Sequence, residues 1–201
     1  MKCAVVLAHP KSTSFCSAIA RRCVDTLTAS GHSVVLRDLY AMDFDPRLKA
    51  EELPTPTGCR AAPDVARERE LLAEADLFVF VYPFWFNAPP AILKGYVDRV
   101  FSLRFGYAAD SGGTAPLLVG RRLMSFSTSG APDQWVNATG ALKALMQVFD
   151  LHLAAVSGLE VAGHLHLGGI HSLLAEDSAA DMLDQVTASL AAAAPATSRP
   201  T

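Results

Sequence analysis

The chain opens without an apolar run long enough to span a bilayer. Cys3 to Ala8, CAVVLA, is six residues long before His9-Pro10, against the roughly 20 that a membrane helix needs. It is also too short for the apolar core of a secretion signal, so it reads as a first strand. Basic residues do not predominate: 17 Lys and Arg face 20 Asp and Glu, for a net charge of -3. That excludes nucleic acid as the main partner, because a phosphate backbone demands clustered cations. Cysteine is sparse, with Cys3, Cys16, Cys23 and Cys59 scattered and no C-x-x-C pair. We expect reduced, mostly buried thiols and therefore a cytoplasmic protein with no membrane insertion. Glycine is missing where nucleotide-binding loops require it. None occurs between Ala8 and Ala29, which excludes both G-x-G-x-x-G and G-x-x-x-x-G-K-[ST] after the first strand. The G-x-S-x-G elbow of an α/β hydrolase is also absent, and FSTSGA does not supply it.

What the chain does have is an alternation. At 201 residues and 51% apolar content it suits one domain over 1–194, long enough for a three-layer core, with a tail at 195–201 expected to fray. Apolar runs at 2–8, 33–39, 76–83 and 121–128 read as strands, and a fifth strand is expected within 151–161. Helices are expected at 14–30, 63–75, 90–101, 134–150 and 172–194. The segment 40–63 is polar and Pro-rich without a clean period, and a connection that long is either functional or loosely ordered. Continuous apolar strands alternating with helices predict an α/β three-layer, doubly wound, parallel five-stranded sheet of order 2-1-3-4-5. Ligands of such sheets bind at the carboxyl ends of the strands, beside strand one. Three loops should therefore share one crevice.

The first is HPKSTSF. Ser12, Thr13 and Ser14 crowd a helix start, where free N–H groups and the helix dipole suit an anion; the competing reading is an ordinary N-cap at Ser12 or Thr13. The second is PFWFNAPP. Pro83 ends strand three, Phe84, Trp85 and Phe86 follow, and Pro89-Pro90 start a helix where a missing N–H costs little. Prolines on both sides restrict the unfolded loop and hold its amides in place. A flat ring system needs such a wall, although aromatics also serve cores and interfaces. The third is STSGAPDQW, in which Thr128 and Ser129 offer donors, Gly130 admits close backbone approach, and Trp135 either caps a pocket or anchors a helix. His164, His166 and His171 read as surface histidines of a loop, since a structural metal site wants four ligands. Asp38 reads as a turn cap.

These loops resemble those of the flavodoxin-like NAD(P)H:quinone oxidoreductases, the group of mammalian quinone reductases and bacterial modulator-of-drug-activity proteins. The likeness rests on LAHP and TSF after strand one, DLYAMDFDP after strand two, PAILKGYVDRVF after strand three and STSG after strand four. It implies a tightly bound flavin, with FAD favoured over FMN because DLYAMDFDP resembles the longer, FAD-using members. It also implies a homodimer with sites at the interface, and ping-pong transfer of a hydride from NAD(P)H through flavin N5 to a quinone-like acceptor. By resemblance, His9, Thr13, Phe15 and Cys16 surround the phosphate and ribityl chain. Pro83, Phe84, Trp85 and Phe86 contact the isoalloxazine, and Thr128, Ser129 and Gly130 line its pyrimidine edge. No catalytic side chain is obligatory, with Gly130 and Trp135 in support. Azo or nitro reduction, a one-electron carrier and a flavin-bearing ancillary subunit are the alternatives. Three features depart from the family: Cys16 stands where Asn is common, and Asn87 where an aromatic is. Trp135 and Ala141 stand where some members carry a Tyr and His pair, which leaves charge on the reduced ring to backbone donors and solvent.

Overall fold

A computed structural model of the chain describes residues 1–55 and 60–196. Five strands, β1 (Lys2–Leu7), β2 (Ser33–Asp38), β3 (Leu77–Pro83), β6 (Arg122–Thr128) and β7 (Glu160–Leu167), form one parallel sheet. Its order is β2-β1-β3-β6-β7. This is the expected 2-1-3-4-5 order once a separate antiparallel hairpin, β4 (Tyr107–Asp110) with β5 (Gly113–Pro116), is set aside. The sequence reading had no such hairpin: its eight residues are mostly small or polar and carry little strand preference of their own.

Every residue of β3 is buried because both faces of the sheet are covered. On one face Cys3, Val5, Leu7, Val79, Val81 and Phe126 pack under α1 (Phe15–Ala29) and α7 (Glu176–Ala193). On the other, Val6, Phe78, Phe80, Tyr82 and Leu123 pack under α2 (Pro63–Leu72), α3 (Ala91–Val100) and the helical run that follows β6. That run consists of α4 (Asp133–Ala138), α5 (Ala141–Leu145), one wide turn of π geometry at Met146–Asp150, and α6 (Leu151–Ser157).

The expected fifth strand is corrected here. Residues 151–157 continue the helix, where Ala154 and Ala155 favour it, and Gly158 at φ 80° closes it in the left-handed region. The strand begins only at Glu160. Its pairing with β6 slips once: Leu123 faces Val161, but Met124 faces Gly163. One extra residue in β7 makes a bulge, which reverses the facing of everything after it.

The long segment after β2 is held by a buried cation. The Arg99 side chain is fully buried, with Nε 3.0 Å from Glu52 Oε2 and Nη1 2.7 Å from Asp64 Oδ2. Arg99 Nη1 also donates to the Asp45 carbonyl at 2.6 Å. Gly95 leaves α3 bare where the Pro46 backbone presses against it. Asp38 caps its turn as expected, accepting from the amides of Tyr40 and Ala41. Cys3, Cys16 and Cys23 are buried free thiols, and burial pushes Cys3 and Cys16 up to about 11, so neither is a reactive thiolate. Cys59 and tail residues 197–201 lie outside the described residues. Among the described residues, no helix is long and apolar enough to cross a membrane.

Candidate functional site

The three loops meet at the carboxyl edge of the sheet. The Phe84 amide donates to the Thr128 carbonyl at 2.6 Å, tying the loop after β3 to the end of β6. Cys16 Sγ lies 3.1 Å from Thr128 Oγ1, tying the start of α1 to the same point. The rings of His9 and Trp85 are 5.8 Å apart, which joins the loop after β1 to the loop after β3. A fourth segment, after β7, closes the group. Gly169 donates its amide to the Ala131 carbonyl and Ile170 to that of Ser129.

Within the first loop the cap falls to Ser14, whose Oγ accepts from the Ser17 amide at 3.1 Å. Ser12 and Thr13 are left exposed at the helix start. His9 Nδ1 accepts from the Lys11 amide at 3.0 Å. Burial holds its imidazole below the ordinary 6.5, so its one proton sits on Nε2, a donor. Phe15 is partly buried against the α1-side core, and the Cys16 side chain is fully buried. At this position the chain can therefore offer a ligand its backbone but not its thiol.

The three aromatics after Pro83 take three different places. Phe84 is core, its ring edge-on to His166 at 5.5 Å. Trp85 is 44% exposed and Phe86 is completely exposed. Trp85 and Ala88 exchange two backbone hydrogen bonds around Phe86 and Asn87, at φ 48° and 58°. That is the geometry of a two-residue hairpin turn, which Asn and Gly tolerate and Phe does not. Replacing Phe86 by Asn should raise the unfolding free energy by about 1 kcal/mol. Chemical denaturation of the two proteins measures it, and an unchanged midpoint would remove the strain.

In the third loop, Gly130 is exposed, and a Cβ placed on it would meet only the Ile170 carbonyl, at 3.7 Å. The protein leaves this space open. Trp135 does not anchor α4, since it is 52% exposed while Val136 is the buried residue. Open space at Gly130, donors at His9, Ser12 and Thr13, and a helix start within the same edge suit a flat ring with an anionic tail.

The sequence reading missed a polar line beneath this edge. His164 and His166 are not surface loop residues; they lie in β7, with side chains 0% and 3% exposed. The bulge turns them to the same face as Val161. His164 Nδ1 is 2.7 Å from Asp150 Oδ2, and its Nε2 is 2.7 Å from Ser127 Oγ. Ser127 Oγ lies 2.8 Å from His166 Nδ1, and His166 Nε2 lies 2.9 Å from Ser129 Oγ. The usable signal was period two: Ser125 and Ser127 on one buried strand, Ser129 one residue past its end, and His164 and His166 on the next. Buried polar groups at alternate positions require partners.

The flavodoxin-like fold family matches this chain over residues 1–190. A Haemophilus influenzae protein named an uncharacterized NAD(P)H oxidoreductase is 35% identical over 185 residues, 92% of this chain and 91% of its own. The Cavia porcellus NAD(P)H dehydrogenase (quinone) 1 is 31% identical over 149 residues, 65% of this chain; that match spans about half, 54%, of the relative's length. The solved NAD(P)H:quinone oxidoreductase of Methanothermobacter marburgensis superposes with a TM-score of 0.81 at 25% identity, covering 96% of this chain and 97% of that one. The chain thus belongs to the flavodoxin-like fold family, in the group of NAD(P)H quinone oxidoreductases. It is an oxidoreductase.

Proposed function

We propose that the crevice holds a flavin and that the protein uses NAD(P)H to reduce quinones or similar two-electron acceptors. The observation that carries this is the meeting of the loops after β1, β3 and β6 at one sheet edge, with open space at Gly130 and a half-exposed Trp85 against His9. In this reading the α1 start, with Ser12 and Thr13, holds the phosphate, and His9 donates from Nε2. Trp85 forms the wall against the ring, and the Ser129–Gly130 backbone borders its edge. The bound flavin supplies temporary storage of a hydride, and the chain supplies position and field. Backbone N–H groups near loop three are fixed by the hydrogen bonds between the β6 and β7 loops, so they stabilise negative charge without reorganising.

The loops at this edge carry the exposed apolar side chains Trp85, Phe86 and, at the start of α4, Trp135. Such a surface supports a second copy of the chain as its cover, with one site on each side of the interface. A cavity of about 220 Å³ between α3 and α6, lined by Lys94, Phe101, Val148 and His152, takes no part in this reading.

The test begins with the cofactor. Heat-released material should absorb as a flavin, and its mass tells FMN from FAD. Steady-state rates with NADH and NADPH against a quinone should follow flavin occupancy. A protein that retains neither FMN nor FAD after reconstitution, or that reduces no acceptor when loaded, would overturn the proposal.

A further inference from the structure

Asp150, His164, Ser127, His166 and Ser129 make one unbroken line of hydrogen bonds from the sealed side of the sheet to the crevice. We propose that this line is a one-proton relay: Asp150 and His164 store a proton, and Ser127, His166 and Ser129 hand it to the acceptor. The delivery step rests on the reductase reading above; the store does not.

Counting protons gives the line its direction. Ser129 Oγ donates its single proton to the Ala131 carbonyl at 2.8 Å, and a carbonyl only accepts. Ser129 must then accept from His166, which places a proton on His166 Nε2. Asp133 Oδ1, 4.0 Å from that nitrogen, favours the same placement. Burial holds His166 below the ordinary range, against the pull of Asp133 and together with the neighbouring His164, so it carries one proton only. Its Nδ1 is bare and accepts from Ser127. Ser127 has then spent its proton and accepts from His164 Nε2. His164 Nδ1 faces Asp150, whose other oxygen already accepts from Ser125 at 2.6 Å.

The inner pair therefore holds one proton more than a neutral imidazole beside a carboxylate. A buried carboxylate is costly without such a counter-charge. The groups facing the pair are few. Tyr82, from β3, stays protonated because burial and the Asp150 charge push its hydroxyl well above the ordinary range; Asp133 comes from α4 and Asp150 from the wide turn. Asp150 is itself fully buried, which makes the inner end a store rather than a channel to solvent.

The chemistry needs such a store. Reduction of a quinone by NAD(P)H breaks one nicotinamide C–H bond, moves two electrons and one proton as hydride, and consumes one further proton. Along the line, the Ser129 hydroxyl first turns from the Ala131 carbonyl to the acceptor, and its O–H bond breaks as an acceptor O–H forms. Ser129 then takes the proton from His166 Nε2, His166 Nδ1 takes that of Ser127, and Ser127 takes that of His164 Nε2. The line ends with a neutral His164, still protonated on Nδ1 toward Asp150, and with the three hydrogen bonds from His164 Nε2 to Ser129 remade in the opposite sense. Bulk water recharges it through the crevice.

Histidine 15N–1H two-bond NMR of the full-length protein, with or without cofactor, tests the store. His164 should show both nitrogens protonated and His166 Nε2 alone; a bare His164 Nε2, or a proton on His166 Nδ1, overturns it. Delivery is tested by the pH profile of quinone reduction in S127A, with H164N as a second variant. Wild type should hold its kcat from pH 6 to 8. S127A should fall with rising pH to about 100-fold below it, with normal flavin content and unchanged KM for NAD(P)H. Parallel profiles in a wild type that reduces quinone overturn delivery alone. A wild type that reduces none overturns the reductase reading and delivery with it, and the NMR result still decides the store.

Discussion

Replacing Arg99 by methionine should cost about 3–5 kcal/mol of unfolding free energy, the range for removing one partner of a buried ion pair. The guanidinium side chain is fully buried, with Glu52 4% exposed at its Nε. It also joins Asp64 at the start of α2 to the Asp45 carbonyl in the segment after β2. Truncation takes the Arg99 guanidinium from Glu52, which keeps the Lys49 amide at 3.1 Å on Oε2, and so weakens the compensation of a buried carboxylate. The Arg99 guanidinium also lies 5.2 Å from the centre of the Phe44 ring, so that contact goes too. Urea denaturation of R99M beside D64N separates the contributions. Asp64 is 43% exposed, so its loss should cost far less. If the two variants lose equal stability, the buried cation is not what holds the segment.

This segment shows how far the sequence could be read. Its length and prolines announced a connection that was either functional or loose, and neither option named Arg99. The helix pattern set Arg99 on one face with Ile92, Tyr96 and Val100, but it did not show that Glu52, Asp64 and the Asp45 carbonyl would surround it there. The crevice was more legible. Three loops at the carboxyl ends of β1, β3 and β6 follow from strand order alone, because a doubly wound sheet reverses direction there. Pro83 fixed the end of β3 and Ser14 the start of α1 to within a residue. The polar line was hidden by two local irregularities without a compositional signature. The bulge in β7 reversed the facing of His164 and His166, and the wide turn at 146–150 set Asp150 inward. Both are single-residue insertions into a regular ladder, and both recur near functional sites. The fifth strand was misplaced for a related reason. LHLAAV is apolar enough to be a buried strand, and a short apolar run does not separate that from a buried helix.

Two glycines at the crevice should respond in opposite ways to the same methyl group. A Cβ on Gly168 would lie 2.5 Å from the Asp133 amide nitrogen, 2.6 Å from the Ala131 carbonyl oxygen and 2.7 Å from Asp133 Oδ1. None of these can yield freely, because Gly168 and Gly169 themselves donate to Asp133 Oδ1 and the Ala131 carbonyl. Gly168→Ala should therefore pry the β6 and β7 loops apart, at about 1–3 kcal/mol of overpacking. Where the displaced loop borders the ligand, retention of a flavin should fall about 10- to 100-fold, each 1.4 kcal/mol being tenfold. Gly130→Ala meets no protein atom closer than 3.7 Å and loses unfolded-state entropy, so its stability should hold or rise by about 0.5 kcal/mol. Its methyl group instead occupies the space assigned to the ring, and flavin affinity should drop without any loss of stability. Calorimetric unfolding of the apoprotein and fluorescence titration with FMN and FAD read the two effects apart. If Gly130→Ala bound both flavins as tightly as wild type, the open side of Gly130 would not be where the ring lies.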